Sequence, residues 1–205
     1  MKTQWYISRV TPSPDPVLAL FEQTGAYLKG HFRLTSGLHS PEYLQCALVL
    51  RYPSHAETLG RELAGKLTSL SQGKRIDMVV SPAMGGVIIG HEVGRALGVP
   101  AIFTERENGA MKLRRGFRVD PGTSVVVVED VVTTGGSTRE VIELLRQAGA
   151  DVLAAGSIID RSGGVVDLGV PRAALATMKV TAWPQEQCPL CAQGSPVVKP
   201  GSRAV

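Results

Sequence analysis

The sequence has little of several features that define large classes of proteins. Only 5% of its 205 residues are aromatic, and no apolar run approaches the roughly 20 residues that a membrane-spanning helix needs. Residues 1–16 lack the apolar core of a signal peptide and are interrupted by three prolines. We therefore expect no membrane segment and no secretory leader. The length predicts a single domain spanning residues 1–205.

Cysteine is scarce as well. The three cysteines, Cys46, Cys188 and Cys191, are an odd number, which argues against a disulfide framework and fits a cytoplasmic protein. The formal net charge of +4 is a modest excess that suits small phosphorylated substrates. Because there is no long Lys/Arg run, we do not expect nucleic acid as a partner.

A single CxxC motif, Cys188-Pro189-Leu190-Cys191, lies near the end of the chain. A four-ligand zinc site generally needs two such half-sites or a nearby His pair. The second half is missing unless a partner subunit supplies it, since the histidines are scattered: His31, His39, His55 and His91. We therefore interpret residues 184–205 as an irregular tail with free thiols and expect no metal bound by the protein alone.

What the sequence does contain is an alternation of strands and helices. Strands are predicted at residues 76–80, 101–104, 124–128, 152–159 and 173–180, and helices at 54–70, 86–97 and 137–147. Four consecutive valines, residues 125–128, are typical of a strand buried on both faces. The alternation predicts an α/β fold in which a central, mainly parallel sheet is flanked by helices.

The first quarter of the chain has a weaker pattern. Residues 1–14 are interpreted as a loose extension, and Asp15-Pro16 predicts the start of a short helix. Residues 30–50 alternate around Ser36-Gly37, which predicts short strands and a turn. The spacing of Ser54 and Glu57 is that of a capping box and predicts the start of the next helix.

The most informative segment follows the valines and runs Glu129, Asp130, Val131, Val132, Thr133, Thr134, Gly135, Gly136, Ser137. Ligands of open α/β sheets bind beyond the carboxyl ends of the strands, and a helix N-terminus binds phosphate. Glycines let the backbone approach a phosphate closely, and the hydroxyls add donors. The paired acids suit sugar hydroxyls, so the segment predicts a site for a ribose 5-phosphate. Other phosphate-binding motifs, the P-loop and G-x-G-x-x-G, are absent.

This segment resembles the signature of the type I phosphoribosyltransferases, which bind phosphoribosyl diphosphate (PRPP). The resemblance implies that Glu129 and Asp130 hold the ribose hydroxyls and that residues 133–137 hold the 5-phosphate. It also implies Mg²⁺ as a cofactor that arrives with PRPP, without a dedicated metal site in the protein. Asp130 is expected to be a catalytic residue, because it orients the ribose and favours the developing positive charge.

Two further segments resemble the orotate branch of this family. Residues 30–43 are similar to an N-terminal hood that covers the base. Arg161, after the strand at 152–159, corresponds to an arginine that binds orotate together with the first threonine of the loop, here Thr133. A planar guanidinium matches a carboxylate well.

A basic loop at residues 103–117 also resembles this branch, in which such a loop closes over the diphosphate, often on the neighbouring subunit. The resemblance implies a homodimer that shares residues 105–117, with Lys112 and Arg106 as catalytic cations. The alternative is a solvated hairpin tip. The chain departs from the family's pattern at Thr35 and Gly85, where many orotate enzymes carry lysine, and Lys112 is the only lysine of its loop.

The resemblance therefore implies an orotate phosphoribosyltransferase of pyrimidine biosynthesis, with PRPP and orotate as its substrates. One alternative is a purine or uracil phosphoribosyltransferase, which would share the PRPP site. Another is a non-catalytic regulator that keeps this fold to sense PRPP. The hood and Arg161 favour the orotate enzyme, whereas the missing lysines leave room for the regulator.

Overall fold

The structure is a computed structural model that describes residues 15–34 and 37–200. The helices of this part are α1 (Pro16–Gln23), α2 (Cys46–Leu50), α3 (Pro53–Leu70), α4 (Gly86–Leu97), α5 (Gly136–Gln147) and α6 (Pro189–Ala192). The strands are β1 (Tyr27–Arg33), β2 (His39–Leu44), β3 (Met78–Pro82), β4 (Ala101–Glu107), β5 (Ala110–Leu113), β6 (Ser124–Val132), β7 (Asp151–Asp160) and β8 (Arg172–Thr177). The predicted extension at 1–14, together with Thr35 and Ser36, lies outside the described residues.

The predicted α/β sheet is confirmed. In the described part of the chain its order is β5-β4-β3-β6-β7-β8, and every neighbouring pair is parallel except β4 with β5. The valines of β6 alternate between two cores, as a strand buried on both faces requires. Val126 and Val128 pack with α3 and α4, whereas Val125 and Val127 pack with α5.

The hood is an antiparallel ribbon of β1 and β2, whose register shifts between Lys29 and Phe32. The strands predicted within residues 30–50 are therefore present. The helix α2 was not predicted there. It forms because Cys46, Val49 and Leu50 are spaced to face one side of a helical turn, and all three are buried.

Helix starts were predicted with mixed success. Asp15 caps α1 as expected, since its Oδ1 accepts hydrogen bonds from the backbone of Val17 and Leu18 at 2.9 and 3.2 Å. The prediction that Ser54 starts the next helix with a capping box is wrong. Helix α3 begins one residue earlier, at Pro53, because proline is preorganised for the first helical position and loses no hydrogen bond there.

The tail is more regular than predicted. A turn of 3₁₀ helix, Gln185–Gln187, precedes α6. Backbone hydrogen bonds attach the segment to the hood at two places, between Trp183 and His39 and between Val198 and β1. Pairing with the hood supplied order that the Pro-rich local sequence did not indicate. None of the helices in the described residues is both long enough and apolar enough to span a membrane.

Candidate active site

The predicted site lies at the carboxyl ends of three neighbouring parallel strands, β3, β6 and β7. Strand β6 was predicted to end at Val128, but it continues to Val132 because it keeps pairing with β7, for example Glu129 with Ser157 and Val132 with Asp160. Glu129 and Asp130 are therefore held in the sheet itself. Arg161 follows β7 directly, and its backbone N–H donates to the carbonyl of Val132 at 2.8 Å.

The two acids differ in environment. Glu129 is only 8% exposed, and its Oε1 accepts a hydrogen bond from the backbone of Asp130 at 3.1 Å. Burial, reinforced by the neighbouring charge of Asp130, raises the pKa of Glu129 well above its ordinary value. Asp130 is half-buried and accepts from the backbone of Val131 at 2.8 Å. Asp130 is thus the acid better placed to contact a ligand.

The phosphate loop, residues 133–137, joins β6 to α5. Thr133 and Thr134 are exposed, and Gly135 adopts a φ of 73° as the N-cap residue of α5. A Cβ at Gly135 would lie 2.7 Å from side-chain carbons of Leu168 and Val166. No side chain among the described residues caps α5, so the N–H groups of its first turn are available to an anion.

Arg139 braces this loop. Its guanidinium donates to the carbonyl of Thr134 and, at 2.7 Å, to the carbonyl of Asp167. Arg139 therefore holds the loop through its backbone and leaves both threonine side chains exposed. We did not predict this role, and no sequence signal distinguishes Arg139 from other arginines on exposed helix faces.

Arg161 lies under the hood. Burial lowers the pKa of its guanidinium, whereas the nearby Tyr43 and Glu42 of β2 act in the opposite direction. Its Nε is buried and has no hydrogen-bond partner among the described residues. A buried guanidinium donor of this kind is suited to an anionic ligand.

The turn after Arg161 is organised by the buried Asp160. This carboxylate accepts from the backbone and hydroxyl of Ser162, at 2.7 and 2.6 Å, and from Arg172 at 2.5 Å. Burial alone would raise the pKa of Asp160, but these donors outweigh it and hold the pKa below its ordinary value. Asp160 therefore positions Arg161 and is not itself available to a ligand.

The predicted basic loop is a hairpin, formed by β4 and β5. Its turn is Asn108-Gly109, with φ values of 52° and 86°, the combination that two-residue hairpins favour. Arg106 lies opposite Met111 and pairs with Glu140 of α5 at 2.9 Å, whereas Lys112 lies opposite Glu105 and pairs with Glu107 at 2.9 Å.

The hairpin cations are thus not brought to the acids of β6 within this chain. Strand alternation places Arg106 and Lys112 on opposite faces of the hairpin. Arg106 is used to attach the hairpin to α5, whereas Lys112 pairs only with an acid of its own hairpin. The contacts therefore leave Lys112 more available than Arg106 to a ligand outside its own hairpin.

Comparison with known proteins agrees with this geometry. The sequence model of the family described as phosphoribosyl transferase domain matches residues 54–168, more than half of the chain. The orotate phosphoribosyltransferase of Pelotomaculum thermopropionicum is 56% identical over 191 residues, which cover 93% of this chain and 98% of that protein. The chain belongs to the orotate phosphoribosyltransferase family. A second orotate phosphoribosyltransferase, from Thermotoga maritima, is 53% identical over 186 residues, covering 91% of this chain and 97% of that protein.

Solved structures show the same relationship. The orotate phosphoribosyltransferase of Aeropyrum pernix is 30% identical and superposes with a TM-score of 0.62, over 78% of this chain and 92% of that one. The predicted type I phosphoribosyltransferase fold is therefore confirmed. Membership of the orotate phosphoribosyltransferase family also confirms the branch that the hood and Arg161 indicated.

Proposed function

We propose that this protein transfers ribose 5-phosphate from PRPP to a ring nitrogen of orotate, giving orotidine 5′-monophosphate and diphosphate. The reaction belongs to pyrimidine biosynthesis, and the relatives that cover most of the chain carry this enzyme's name. The observation that carries the choice of base is Arg161. Its buried Nε lacks a partner among the described residues and lies beside the hood residue Tyr43, where it can donate to the carboxylate of orotate.

The PRPP site is proposed along residues 129–137. The exposed hydroxyls of Thr133 and Thr134, together with the N–H groups at the start of α5, surround the space proposed for the 5-phosphate. Ser137 and Gly136 contribute to the same turn. Asp130 orients the ribose hydroxyls and favours the positive charge that develops as the diphosphate leaves. Thr133 is also the loop residue nearest along the chain to β6 and is proposed to contact orotate.

Mg²⁺ is the proposed cofactor, and the site fits it. Mg²⁺ prefers oxygen ligands and keeps several waters, so one half-buried carboxylate such as Asp130, together with substrate oxygens, suffices. When bound, Mg²⁺ would neutralise charge on the diphosphate. The buried Glu129, whose pKa is raised, is a poorer ligand than Asp130 and is proposed to accept or donate a hydrogen bond at the sugar.

The active unit is proposed to be a homodimer. Lys112 and Arg106 lie on a hairpin that contacts α5 of its own chain rather than Asp130, so a catalytic Lys112 would act on the partner's diphosphate.

A cytoplasmic location is proposed as well, in keeping with three free cysteines. We also propose that residues 1–205 form one phosphoribosyltransferase domain.

A comparison of turnover with different bases tests the proposal directly. The purified protein is assayed with PRPP, Mg²⁺ and orotate, with uracil, adenine and hypoxanthine in parallel. We expect turnover of orotate alone. Turnover of a different base would contradict the role of Arg161, and PRPP binding by calorimetry without any turnover would favour the non-catalytic regulator.

The variant Arg161→Gln tests the role of Arg161 itself. Arg161 is proposed to bind the carboxylate of orotate, the only group that distinguishes orotate from uracil, and the variant removes the charge that binds it. We expect kcat/KM for orotate to fall about 100-fold, equivalent to about 3 kcal/mol for a charge-assisted hydrogen bond. PRPP affinity should be unchanged. Arg75→Gln is the matched control, because Arg75 is an exposed arginine that precedes β3, at the opposite end of the sheet.

A further inference from the structure

Four side chains that are far apart in the sequence converge between the hood and the tail. Among the described residues one group of three or more His, Cys, Asp or Glu side chains could hold a metal ion, and it consists of His31, His39, Cys188 and Cys191. Their ligand atoms all lie within 4.8 Å of one another. His31, His39 and Cys188 are buried, and Cys191 is partly exposed. The second half-site that the CxxC motif lacked is therefore in the same chain, in the hood, and the expectation that these histidines are scattered was wrong.

Three nitrogen–sulfur distances in this cluster are close to those of a tetrahedral site. Nε2 of His31 lies 3.5 Å from Sγ of Cys188 and 3.6 Å from Sγ of Cys191, and Nδ1 of His39 lies 3.2 Å from Sγ of Cys191. Zinc bonds of about 2.3 Å to sulfur and about 2.0–2.1 Å to nitrogen place tetrahedral S and N ligands about 3.5 Å apart. The two nitrogens, 2.8 Å apart, would separate by about 0.5 Å around an ion with these bond lengths.

The hydrogen bonds of His31 explain why a metal ion fits between these four side chains better than a proton does. Nδ1 of His31 lies 2.9 Å from the carbonyl oxygen of Ser195, which can only accept, so Nδ1 carries the proton. In the neutral ring Nε2 then offers one lone pair. Three groups approach that lone pair: the sulfurs of Cys188 and Cys191 and Nδ1 of His39. A single ion at the centre satisfies all of them, and the bond to Ser195 is the outer contact that orients a ligating histidine.

We propose that His31, His39, Cys188 and Cys191 form a structural zinc site. Two thiolates and two imidazoles select zinc over Mg²⁺, which prefers oxygen. Four protein ligands leave no open position for a substrate or a reactive water, so the ion has a structural and not a catalytic role. The site is separate in chemistry and in place from the one proposed for PRPP.

The fold shows what the ion would hold together. His31 and His39 belong to β1 and β2, whereas Cys188 precedes α6 and Cys191 lies within it. The tail already pairs with this ribbon, through hydrogen bonds of 2.8 and 2.9 Å between His39 and Trp183 and of 2.8 Å from Val198 N–H to His31 O. Strand β2 also carries Tyr43, which lies beside Arg161. Zinc would therefore fasten the tail to the hood and fix the strand that covers the base site.

Metal content tests the proposal without relying on enzyme activity, so it can fail or succeed independently of the proposed function. The full-length protein, expressed with zinc in the medium and purified under reducing conditions, is analysed by inductively coupled plasma mass spectrometry. We expect about one zinc ion per chain, since four ligands saturate one tetrahedral ion. After removal of zinc, added Co²⁺ should produce the visible bands of tetrahedral cobalt and a thiolate-to-cobalt charge-transfer band.

Variants locate the ion. Cys188→Ser and His39→Ala should reduce bound zinc to less than about a tenth of an ion per chain. Cys46→Ala and His91→Ala are the matched controls and should keep it, because Cys46 lies beside Asp130 and His91 is exposed on α4. Wild-type protein that contains no zinc and gives no tetrahedral Co²⁺ spectrum would overturn the proposal, even if the ligand variants fail to fold. Unchanged zinc in both ligand variants, or a Cys188–Cys191 disulfide in the wild type, would also overturn it.

Discussion

Gly85 lies directly against the carboxylate of Asp130. A Cβ on Gly85 would be 2.5 Å from Oδ1 and 2.7 Å from Oδ2 of that side chain, so any other residue here requires the Asp130 carboxylate to move. The backbone at the start of α4 therefore forms one wall of the pocket that holds the acid. The chain departs here from the family resemblance, in which many orotate enzymes carry a lysine at this position, and the glycine lets the Asp130 carboxylate lie against the backbone.

The variant Gly85→Ala should displace Asp130. We expect kcat/KM to fall at least about 10-fold and the free energy of unfolding to fall by about 1–3 kcal/mol, as is usual for overpacking. Steady-state kinetics and urea unfolding measure the two effects. Gly65→Ala is the control, because a Cβ there meets nothing within 4 Å in the middle of α3 and should stabilise the protein by about 0.5–1 kcal/mol. Wild-type kcat/KM in Gly85→Ala would contradict the prediction.

Gly135→Ala should weaken PRPP binding through the phosphate loop. The φ of 73° costs an alanine about 1–2 kcal/mol, and its Cβ would also collide with Leu168 and Val166. We expect KM for PRPP to rise at least about 10-fold, because the N–H groups at the start of α5 would move. Gly98→Ala has the same φ penalty at 70° but meets nothing within 4 Å, so it should lose stability without a change in KM. Equal KM values in the two variants would refute the prediction.

Glu129→Gln should stabilise the protein increasingly as the pH rises. The folded-state pKa of Glu129 is raised by burial and by Asp130, so below the unfolded pKa the residue is neutral in both states and costs nothing. As the pH rises from the unfolded pKa to the folded pKa, the wild type loses about 1.4 kcal/mol of stability for each pH unit between the two values. Urea unfolding from about pH 5 to about pH 8 should show the gap between variant and wild type widening. Glu143→Gln is the control, because Glu143 is exposed on α5. If the free energy of unfolding of Glu129→Gln runs parallel to that of the wild type across this pH range, the prediction is contradicted.

The sheet and the phosphate loop could be predicted because their signals are local. Four valines specify a strand buried on both faces, and the acids and glycines that follow occupy consecutive positions. The end of β6 could not be predicted from propensity. It is set by pairing with β7, which extends the strand through Glu129 and Asp130. The contact of Gly85 with Asp130 could not be predicted either, because Gly85 follows β3 whereas Asp130 lies near the end of β6.

The Cys/His cluster shows the same limit more clearly. Cys188 and Cys191 form a recognisable half-site, but His31 and His39 are spaced like ordinary strand residues and lie more than 140 positions away. Only the pairing of the tail with the hood brings the two halves together. The roles of Arg139 and Asp160 are likewise set by tertiary contacts, those of Arg139 with two carbonyls and that of Asp160 with Arg172 of β8.

A mixed dimer tests whether Lys112 acts across subunits. Asp130→Asn should inactivate the site of its own subunit, and Lys112→Ala should inactivate the site that its hairpin reaches. If that site belongs to the partner, a dimer of the two variants contains one complete site, formed by the Asp130 of one chain and the partner's Lys112. Random assembly of coexpressed, differently tagged chains should then recover about a quarter of wild-type activity. If Lys112 acts within its own chain, every site in the mixture lacks one residue and activity stays at the level of the parent variants. Light scattering after size-exclusion chromatography establishes that dimers are present, so a chain that proves monomeric would contradict the proposal before any activity is measured.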